Sequence, residues 1–348
     1  MSGSPLATLP HLHEVLRADE VRATGAHLAS LQLGTGMIPW FPGGHCDPWN
    51  HVESAMALDV AGFSDEAAHA YRWLADVQRH DGSWHNYYWS DGSIEEAKLD
   101  TNVCAYIATG LWHHWRCTGD HDVVVELFPV VRRALDWVLS HRRADGTVLW
   151  AVEVDHAPWS YALLTGSSSI QHSLRCGADL AALLDEPRPD WVAAADTIAA
   201  VVAEQPDAFE PKTRWAMDWY YPVLTGAVTG EAAKAHLVEG WDTFALEGLG
   251  IRCVSDERWV TASETAECSL AFSAIGDLAT ATDLLAWTRP HRLDDGAYWT
   301  GIVHPSGERF PFEEHTSYTA AAIILAADAI AGASPASDVF SRAHHELD

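Results

Sequence analysis

The sequence predicts an all-α fold, an (α/α)6 toroid built from six helical hairpins. Three observations favour this fold. The chain consists of one amphipathic or apolar helical pattern after another, the links between helices alternate between short and long, and strand-like alternation is rare. Helical hairpins repeated with short links on one face and long links on the other are typical of such rings. We therefore expect one funnel, on the face that carries the long loops.

Twelve helices follow from the periodicity and from the glycine, proline and acidic residues between segments. Their approximate bounds are 19–33, 47–62, 64–79, 96–118, 121–142, 159–184, 189–204, 217–229, 231–245, 260–275, 277–288 and 313–332. We expect residues 1–18 to be a lead segment, residues 19–333 a single toroid domain, and residues 334–348 a C-terminal tail.

The even-numbered helices are the more apolar, as in NVCAYIATGLWHHW and TAAAIILAADAI, so we expect them to form the inner wall. The odd-numbered helices have one apolar stripe and should form the outer wall. The long loops then gather at the N-terminal ends of the inner helices. Because free backbone N–H groups and positive helix ends point there, this face is the expected site of a funnel.

The charge of the chain limits its partners. It has 49 acidic and 21 basic residues, a formal charge of −28, which disfavours nucleic acids and anionic membranes. No segment is apolar enough for a membrane span, and the N-terminus does not have the pattern of a signal peptide. Six scattered cysteines without a C-x-x-C pair favour a reduced, cytoplasmic protein. We expect its substrate to be a small molecule. We predict neither a metal nor a cofactor, and the oligomeric state stays open.

Acidic residues stand at the starts of the inner helices and in the loops before them. Many such residues are helix caps, and Asp47 before Pro48 is a ready example. Capping does not explain Glu264, Glu267 or Glu314, which we expect within the first turn or so of an inner helix. Nor does it explain the tryptophan and tyrosine side chains beside the acids.

Acids and aromatic rings at one mouth suit a carbohydrate site or an isoprenoid-cation site, because aromatic faces stack on sugars and stabilise cations. The chain has 17 tryptophans, several of them near the predicted mouth. The candidate substrate-binding residues are Asp47, Trp49, His51, Asp100, Asn102, Trp159, Trp219 and Tyr221.

Part of the chain resembles the six-hairpin glycosidases of the glucoamylase and trehalase type. The runs DTNVCAYIATGLWHHWRC and TGDHDVVVELFPVVRRALDWV are similar to a helical pair of these enzymes. DGTVLWAVEVDH resembles the loop that carries the glucoamylase general acid, and EEHTSYTAAAIILAADA resembles their final helix, which follows the general base. The resemblance, over about half the chain, implies a glycoside hydrolase that acts on a small saccharide or glycoconjugate by general acid/base catalysis. The Arg-Asp pair with which glucoamylases hold the terminal sugar is missing.

A second resemblance supports an alternative. QRHDGSW, residues 78–84, resembles the Q-x-x-D-G-x-W motif of squalene cyclases and prenyltransferase β-subunits, where the motif is structural. It implies a terpene cyclase or prenyltransferase-like enzyme with an isoprenoid substrate. The D-x-D-D and D-x-C motifs of those families are missing. A non-catalytic binding toroid is the third alternative.

For hydrolysis we expect Glu314 to be the general base, with Glu313 as the less favoured choice, and Glu153 to be the general acid. Glu314 would be kept ionised by the N-terminus of the last inner helix. Glu153 would keep its proton because Trp150 and Trp159 reduce its solvation. The reserve candidates are Asp155, Asp218 and Glu264.

Overall fold

The computed structural model describes residues 8–155 and 157–341, and helices dominate this part of the chain. The α-helices are α1 Ala18–Leu31, α2 Pro48–Val60, α3 Ser64–Val77, α4 Thr101–Ala105, α5 Ile107–Thr118, α6 His121–Ser140, α7 Leu164–Leu183, α8 Pro189–Glu204, α9 Ala216–Leu224, α10 Gly230–Phe244, α11 Ala262–Ala274, α12 Leu278–Trp287 and α13 Ser317–Ala331. Only Tyr106 separates α4 from α5, so the two form one interrupted helix of the inner wall. The helices therefore fill the twelve predicted places.

The inner helices form a closed ring. In chain order, α2, α4 with α5, α7, α9, α11 and α13 each pack against the next, and α13 packs against α2. The outer helices α1, α3, α6, α8, α10 and α12 pack against this ring from outside. The predicted (α/α)6 toroid is confirmed.

Burial separates the two walls as the apolar patterns predict. In α2 every residue except Asn50 is buried, because the helix has neighbours on all sides. In α10, on the outer wall, only Ala233, Leu237 and Phe244 are buried. The apolar composition of the even-numbered helices is thus a consequence of their enclosure.

Short strands lie in the long loops. They are β1 His45–Cys46, β2 Tyr87–Trp89, β3 Ile94–Glu96, β4 Leu99–Asp100, β5 Ala151–Val152, β6 Ala245–Leu246, β7 Gly250–Arg252, β8 Trp259–Thr261, β9 Gly301–Val303 and β10 Glu308–Arg309. They form sheets in the orders β1-β2-β3, β4-β5 and β10-β9-β8-β7-β6, with antiparallel pairing. Because β4 leads directly into α4, and β8 into α11, these sheets fix the loops at the starts of the inner helices.

The Q-x-x-D-G-x-W segment forms a turn between two outer helices. The side-chain amide of Gln78 donates to the carbonyl oxygens of Gly82 (2.9 Å) and Val130 (3.0 Å), which ties the end of α3 to α6. Gly82 has φ +99°, and a Cβ added there would lie 2.4 Å from the backbone oxygen of Arg133, so glycine is required. Three more turns place a glycine with a similar positive φ against an outer helix: Gly36 against the backbone of His69, Gly146 against the side chain of Thr197, and Gly296 against the backbone of Ala23. The last of these joins the loop after α12 to α1 and closes the outer ring.

Residues 334–341 pack at the end of the toroid opposite the long loops. Ser334 donates its backbone N–H to Asp328 Oδ1 (2.8 Å), and His172 Nε2 lies 2.9 Å from the carbonyl oxygen of Val339. The domain boundaries at residues 18 and 333 stay predictions, and the outer parts of the two terminal segments, 1–7 and 342–348, lie outside the described residues. No helix in the described part of the chain is long and apolar enough to cross a membrane.

Candidate active site

A cavity of about 540 Å³ opens on the long-loop face, at the starts of the inner helices. Six carboxylates line it, together with five large aromatic side chains and one cationic side chain, that of Lys98. The carboxylates are Asp47, Glu53, Glu96, Asp100, Glu264 and Glu267, and the aromatics are Trp40, Trp49, Tyr87, Trp150 and Tyr318. The funnel therefore lies on the predicted face.

Two of these carboxylates are N-caps of inner helices. Asp47 caps α2: its Oδ1 accepts the backbone N–H of Asn50 (3.0 Å), and its Oδ2 accepts the indole N–H of Trp40 (2.7 Å). Burial raises the pKa of Asp47, although these hydrogen bonds oppose the shift.

Asp100 has the same arrangement at the start of α4. Its Oδ1 accepts the backbone N–H groups of Asn102 (2.9 Å) and Val103 (3.2 Å), and its Oδ2 accepts the indole N–H of Trp150. Burial raises the pKa of Asp100 to about 6, despite the hydrogen bonds and the charge of Lys98, which lower it. The Asp100 carboxyl therefore keeps its proton to a higher pH than an ordinary aspartate does.

Glu264 is the third residue of α11, so its carboxylate lies at a positive helix end. It accepts hydrogen bonds from the hydroxyl of Thr261 and from that of Ser263 (2.8 Å), and its side chain is partly open to the cavity. Glu264 thus presents a hydrogen-bonded carboxyl group to the cavity at a helix N-terminus.

Glu53 and Glu267 form a buried pair on the cavity wall. Tyr221 donates its hydroxyl to Glu267 (3.0 Å), as does Tyr220, and Tyr106 donates its hydroxyl to Glu53 (3.4 Å). Burial raises the pKa of Glu267 to about 8. It also raises the pKa of Glu53 well above the usual value, and the charge of Glu267 adds to this shift. At neutral pH, protonated carboxyl groups of this pair can donate hydrogen bonds into the cavity.

Two further groups are placed to contact a ligand. The indole of Trp49 stacks on Tyr106, with ring centroids 3.8 Å apart and an interplanar angle of 7°, which fixes its orientation. Asn102 also lines the cavity, and its buried Oδ1 has no hydrogen-bond partner in the structure. Because an unpaired buried acceptor is unfavourable, a ligand hydroxyl at this position would satisfy it.

The cavity brings together five of the residues predicted for the site, at the starts of three inner helices: Asp47, Trp49, Asp100, Asn102 and Glu264. Tyr221 lies behind this surface, where its hydroxyl holds Glu267. Among the reserve candidates for catalysis, only Glu264 lines the cavity.

The acid and base preferred from the sequence lie outside the cavity lining. Glu153 is exposed and accepts the indole N–H of Trp159 at 2.9 Å. Glu314 is half-buried, its Oε1 accepts the hydroxyl of Thr300 (3.3 Å), and burial raises its pKa. Because α13 begins at Ser317, Glu313 and Glu314 precede the helix instead of forming its first turn. Glu313 is exposed.

The remaining predicted residues are held in walls or loops. His51 is fully buried, with its ring between the N–H of Ile38 (3.1 Å) and the carbonyl oxygen of Ala70 (2.9 Å), and burial lowers its pKa to about 4. Trp219 faces α10, where its indole donates to the carbonyl of His236 (3.1 Å).

Asp218 accepts the hydroxyl of Thr165 (2.6 Å), and burial raises its pKa. Asp155 is exposed and accepts the backbone N–H of Ala157 (3.1 Å). Trp159 lies beside Trp150, outside the main cavity.

Several lining residues were not among the catalytic or substrate-binding candidates, although Glu267 was noted as an acid that capping does not explain. Glu53, Glu96 and Glu267 stand near helix starts, so their position was a usable signal, whereas Trp40, Lys98, Met217 and Tyr318 offered none. In the part of the chain that the structure describes, no three His, Cys, Asp or Glu side chains are grouped as metal ligands.

Solved structures of carbohydrate-active proteins share this closed (α/α)6 toroid. A wild-type glycosidase of known structure superposes with a TM-score of 0.72 at 14% identity, over 90% of this chain and 96% of the other. D-mannose isomerase has a TM-score of 0.65 at 12% identity, over 89% and 96% of the two chains. Cellobiose 2-epimerase from Spirochaeta thermophila has a TM-score of 0.65 at 13% identity, over 90% of this chain and 97% of the other. At these identities the likeness shows the fold.

Sequence comparison identifies the family. The chain matches no protein-family model. It is 45% identical over 335 residues to the MMP endo-(1,4)-3-O-methyl-alpha-D-mannosidase of Mycolicibacterium hassiacum, which covers 96% of this chain and 92% of the relative. The chain belongs to the family of this mannosidase and is a glycoside hydrolase.

Proposed function

We propose that this glycoside hydrolase cleaves α-(1,4) linkages between 3-O-methyl-D-mannose residues at internal positions of a saccharide chain. The main support is the 45% identity to a relative of that activity over nearly the whole chain. The funnel supports it further, because a cavity of about 540 Å³ with an open mouth leaves room for a chain to continue outward.

Glu264 is the general base in this proposal. It lines the cavity, lies in the first turn of α11, and is held by hydrogen bonds from the hydroxyls of Thr261 and Ser263. An ionised carboxylate open to the cavity can take a proton from an attacking water.

Asp100 is the general acid. In the order of the inner ring, α4 with α5 is second and α11 is fifth, so Asp100 and Glu264 belong to helices on opposite sides of the cavity. Carboxyl groups on opposite sides of a sugar are the arrangement of an inverting glycosidase, with a water between base and anomeric carbon. The pKa of about 6 allows Asp100 to protonate the leaving oxygen near neutrality.

Asp47 is the second candidate for the acid, because burial raises its pKa as well. Its helix, α2, is two places from α11 around the ring instead of three, so Asp100 is preferred. In the preferred arrangement Asp47 and Asn102 bind sugar hydroxyls, and the fixed face of Trp49 stacks on a sugar ring.

The other hypotheses have less support. A Glu153–Glu314 pair would need both carboxyl groups in the cavity lining, to which neither belongs. An isoprenoid activity rests on the Q-x-x-D-G-x-W motif, whose glutamine and glycine make contacts between outer helices.

A cytoplasmic location is supported by the six free cysteines, five of them buried. The strongly negative charge supports the proposal that the protein does not bind nucleic acid.

The test is hydrolysis of an α-(1,4)-linked oligosaccharide of 3-O-methyl-D-mannose, with products separated by length. We expect the wild-type enzyme to release internal fragments, and Glu264→Gln and Asp100→Asn each to lower kcat by about 10²- to 10⁴-fold. Glu153→Gln is the matched control and should keep the wild-type kcat.

Three outcomes would count against parts of the proposal. No cleavage by the wild-type enzyme would exclude the substrate. Full activity of Glu264→Gln would exclude this base, and loss of activity in Asp47→Asn but not in Asp100→Asn would assign the acid to Asp47.

A further inference from the structure

The loop before α7 carries three aromatic side chains that continue the cavity wall outward. Trp150 lines the cavity, and its ring centroid lies 4.6 Å from that of Trp159 and 5.6 Å from that of Tyr161. We call Trp150, Trp159 and Tyr161 the outer platform. Trp159 and Tyr161 are only half-buried, so parts of their rings are open to solvent.

The rings of the outer platform are held in place before any ligand binds. Trp159 donates its indole N–H to Glu153 (2.9 Å), and Trp150 donates to Asp100. The ammonium of Lys98 lies 4.4 Å from the ring centroid of Trp150 and 5.7 Å from that of Trp159. Because the rings are already ordered, little side-chain entropy remains to be lost on binding.

Polar groups surround these aromatic faces. Lys98 lines the cavity, and its ammonium lies over the rings of Trp150 and Trp159. The ammonium of Lys212 lies over the ring of Tyr161, 5.7 Å from its centroid, and the carboxylate of Glu153 lies at the edge of Trp159. Aromatic rings with charged groups beside them suit a sugar, whose C–H face packs on an open ring face while its hydroxyls bond to the charges. Methyl ethers on the sugar would add apolar area to such a contact.

We propose that the outer platform is a separate subsite that binds a sugar residue of the substrate chain outside the main cavity. This proposal rests on the proposed function, since an endo-acting enzyme holds a chain that extends beyond the cleaved bond. Trp150 belongs to both the cavity wall and the platform and contacts Asp100, so a chain that leaves the cavity at Asp100 meets the platform directly. The platform lengthens the recognised substrate without taking part in the chemistry.

The experiment compares a trisaccharide and a chain at least twice as long, both of α-(1,4)-linked 3-O-methyl-D-mannose. We expect Trp159→Ala and Tyr161→Ala each to raise the KM for the longer substrate by about 10-fold, equivalent to about 1.4 kcal/mol. Their kcat values, and both constants for the trisaccharide, should stay near those of the wild type.

Trp115→Ala is the matched control, because Trp115 is a half-buried tryptophan near the C-terminal end of α5, away from the mouth. It should change neither constant for either substrate. Equal KM values of wild type and both platform variants for the longer chain would overturn the subsite, as would the same KM increase for both substrates. In those cases wild-type cleavage would still support the proposed function, whereas no cleavage by the wild type would overturn both proposals.

Discussion

Replacement of Gly82 by alanine should destabilise the toroid much more than the same change at Gly119. Both glycines have a positive φ, +99° and +67°, which costs an alanine about 1–2 kcal/mol. They differ in the space around them. A Cβ at residue 82 would lie 2.4 Å from the oxygen and 2.7 Å from the carbon of the Arg133 backbone carbonyl, whereas nothing lies within 4 Å at residue 119.

The extra cost comes from the contact between the turn and α6. Backbone atoms cannot rotate away as a flexible side chain could, so α6 or the turn must shift, and forced overpacking of this kind costs about 1–3 kcal/mol. Such a shift would also weaken the hydrogen bonds that Gln78 donates to Gly82 and Val130. We therefore expect Gly82→Ala to lower the free energy of unfolding by about 2 kcal/mol more than Gly119→Ala.

Urea unfolding of the two variants and the wild type, followed by circular dichroism, measures this difference. The native spectra of all three should be alike, because neither residue lies inside a helix. A difference between the two variants below about 0.5 kcal/mol, the size of an ordinary surface effect, would refute the conclusion that this turn joins the outer helices.

Two further variants test buried ionisable groups. Burial raises the pKa of Glu267 from the ordinary 4.5 to about 8 in the folded protein, so the free energy of unfolding of the wild type should decrease as the pH rises from about 5 to about 8. Glu267→Gln has no such carboxyl group, so its free energy of unfolding should decrease less over the same pH range. Parallel stability curves for wild type and variant would contradict this. Asp59→Asn should cost about 3 kcal/mol, because it removes the charge that faces the buried His114, whose Nδ1 lies 3.0 Å from both carboxylate oxygens. Burial lowers the pKa of His114 but Asp59 raises it more, so a loss below about 1 kcal/mol would show that the pair is not ionised.

The architecture was predictable because it depends on patterns that repeat along the chain. Enclosure makes an inner helix apolar on all sides, and a short link forces two helices to be neighbours, so both features are visible in the residues. The break at Tyr106 and the strands of two or three residues were not predictable, since such short elements have no measurable periodicity.

The candidate site was predictable in part, since a helix start determines which end of the ring a residue occupies. Asp47 and Asp100 are N-caps of inner helices, so they lie at the mouth of the funnel whatever the rotation of each helix about its own axis. For a residue inside a helix, the direction of the side chain changes by about 100° with each position along the chain. A small error in a helix boundary therefore does not move the residue to the other end of the ring, but the side to which it points cannot be inferred from its position alone. His51 and Trp219 stand in the right segments yet face the neighbouring helices α3 and α10.

The preference for Glu314 as the base depended in part on one uncertain helix boundary. If the last inner helix began at residue 313, Glu314 would lie in its first turn, but α13 begins at Ser317. Glu264 lies in the first turn of α11 and lines the cavity, as no other reserve candidate does. Burial and the positions of hydrogen-bond donors, which the sequence does not show, separate these residues.

The most direct measurement of the proposed chemistry compares two leaving groups. A general acid is needed for a sugar alcohol but not for a nitrophenolate, which leaves without a proton. On an unmodified 3-O-methyl-manno-oligosaccharide, Asp100→Asn and Glu264→Gln should each lower kcat/KM by at least about 100-fold. On the nitrophenyl glycoside of the same oligosaccharide, Asp100→Asn should regain most of the wild-type kcat/KM, while Glu264→Gln should not. Equal losses of the two variants on both substrates, or wild-type rates for either variant on the unmodified chain, would contradict the assignment of Asp100 as acid and Glu264 as base.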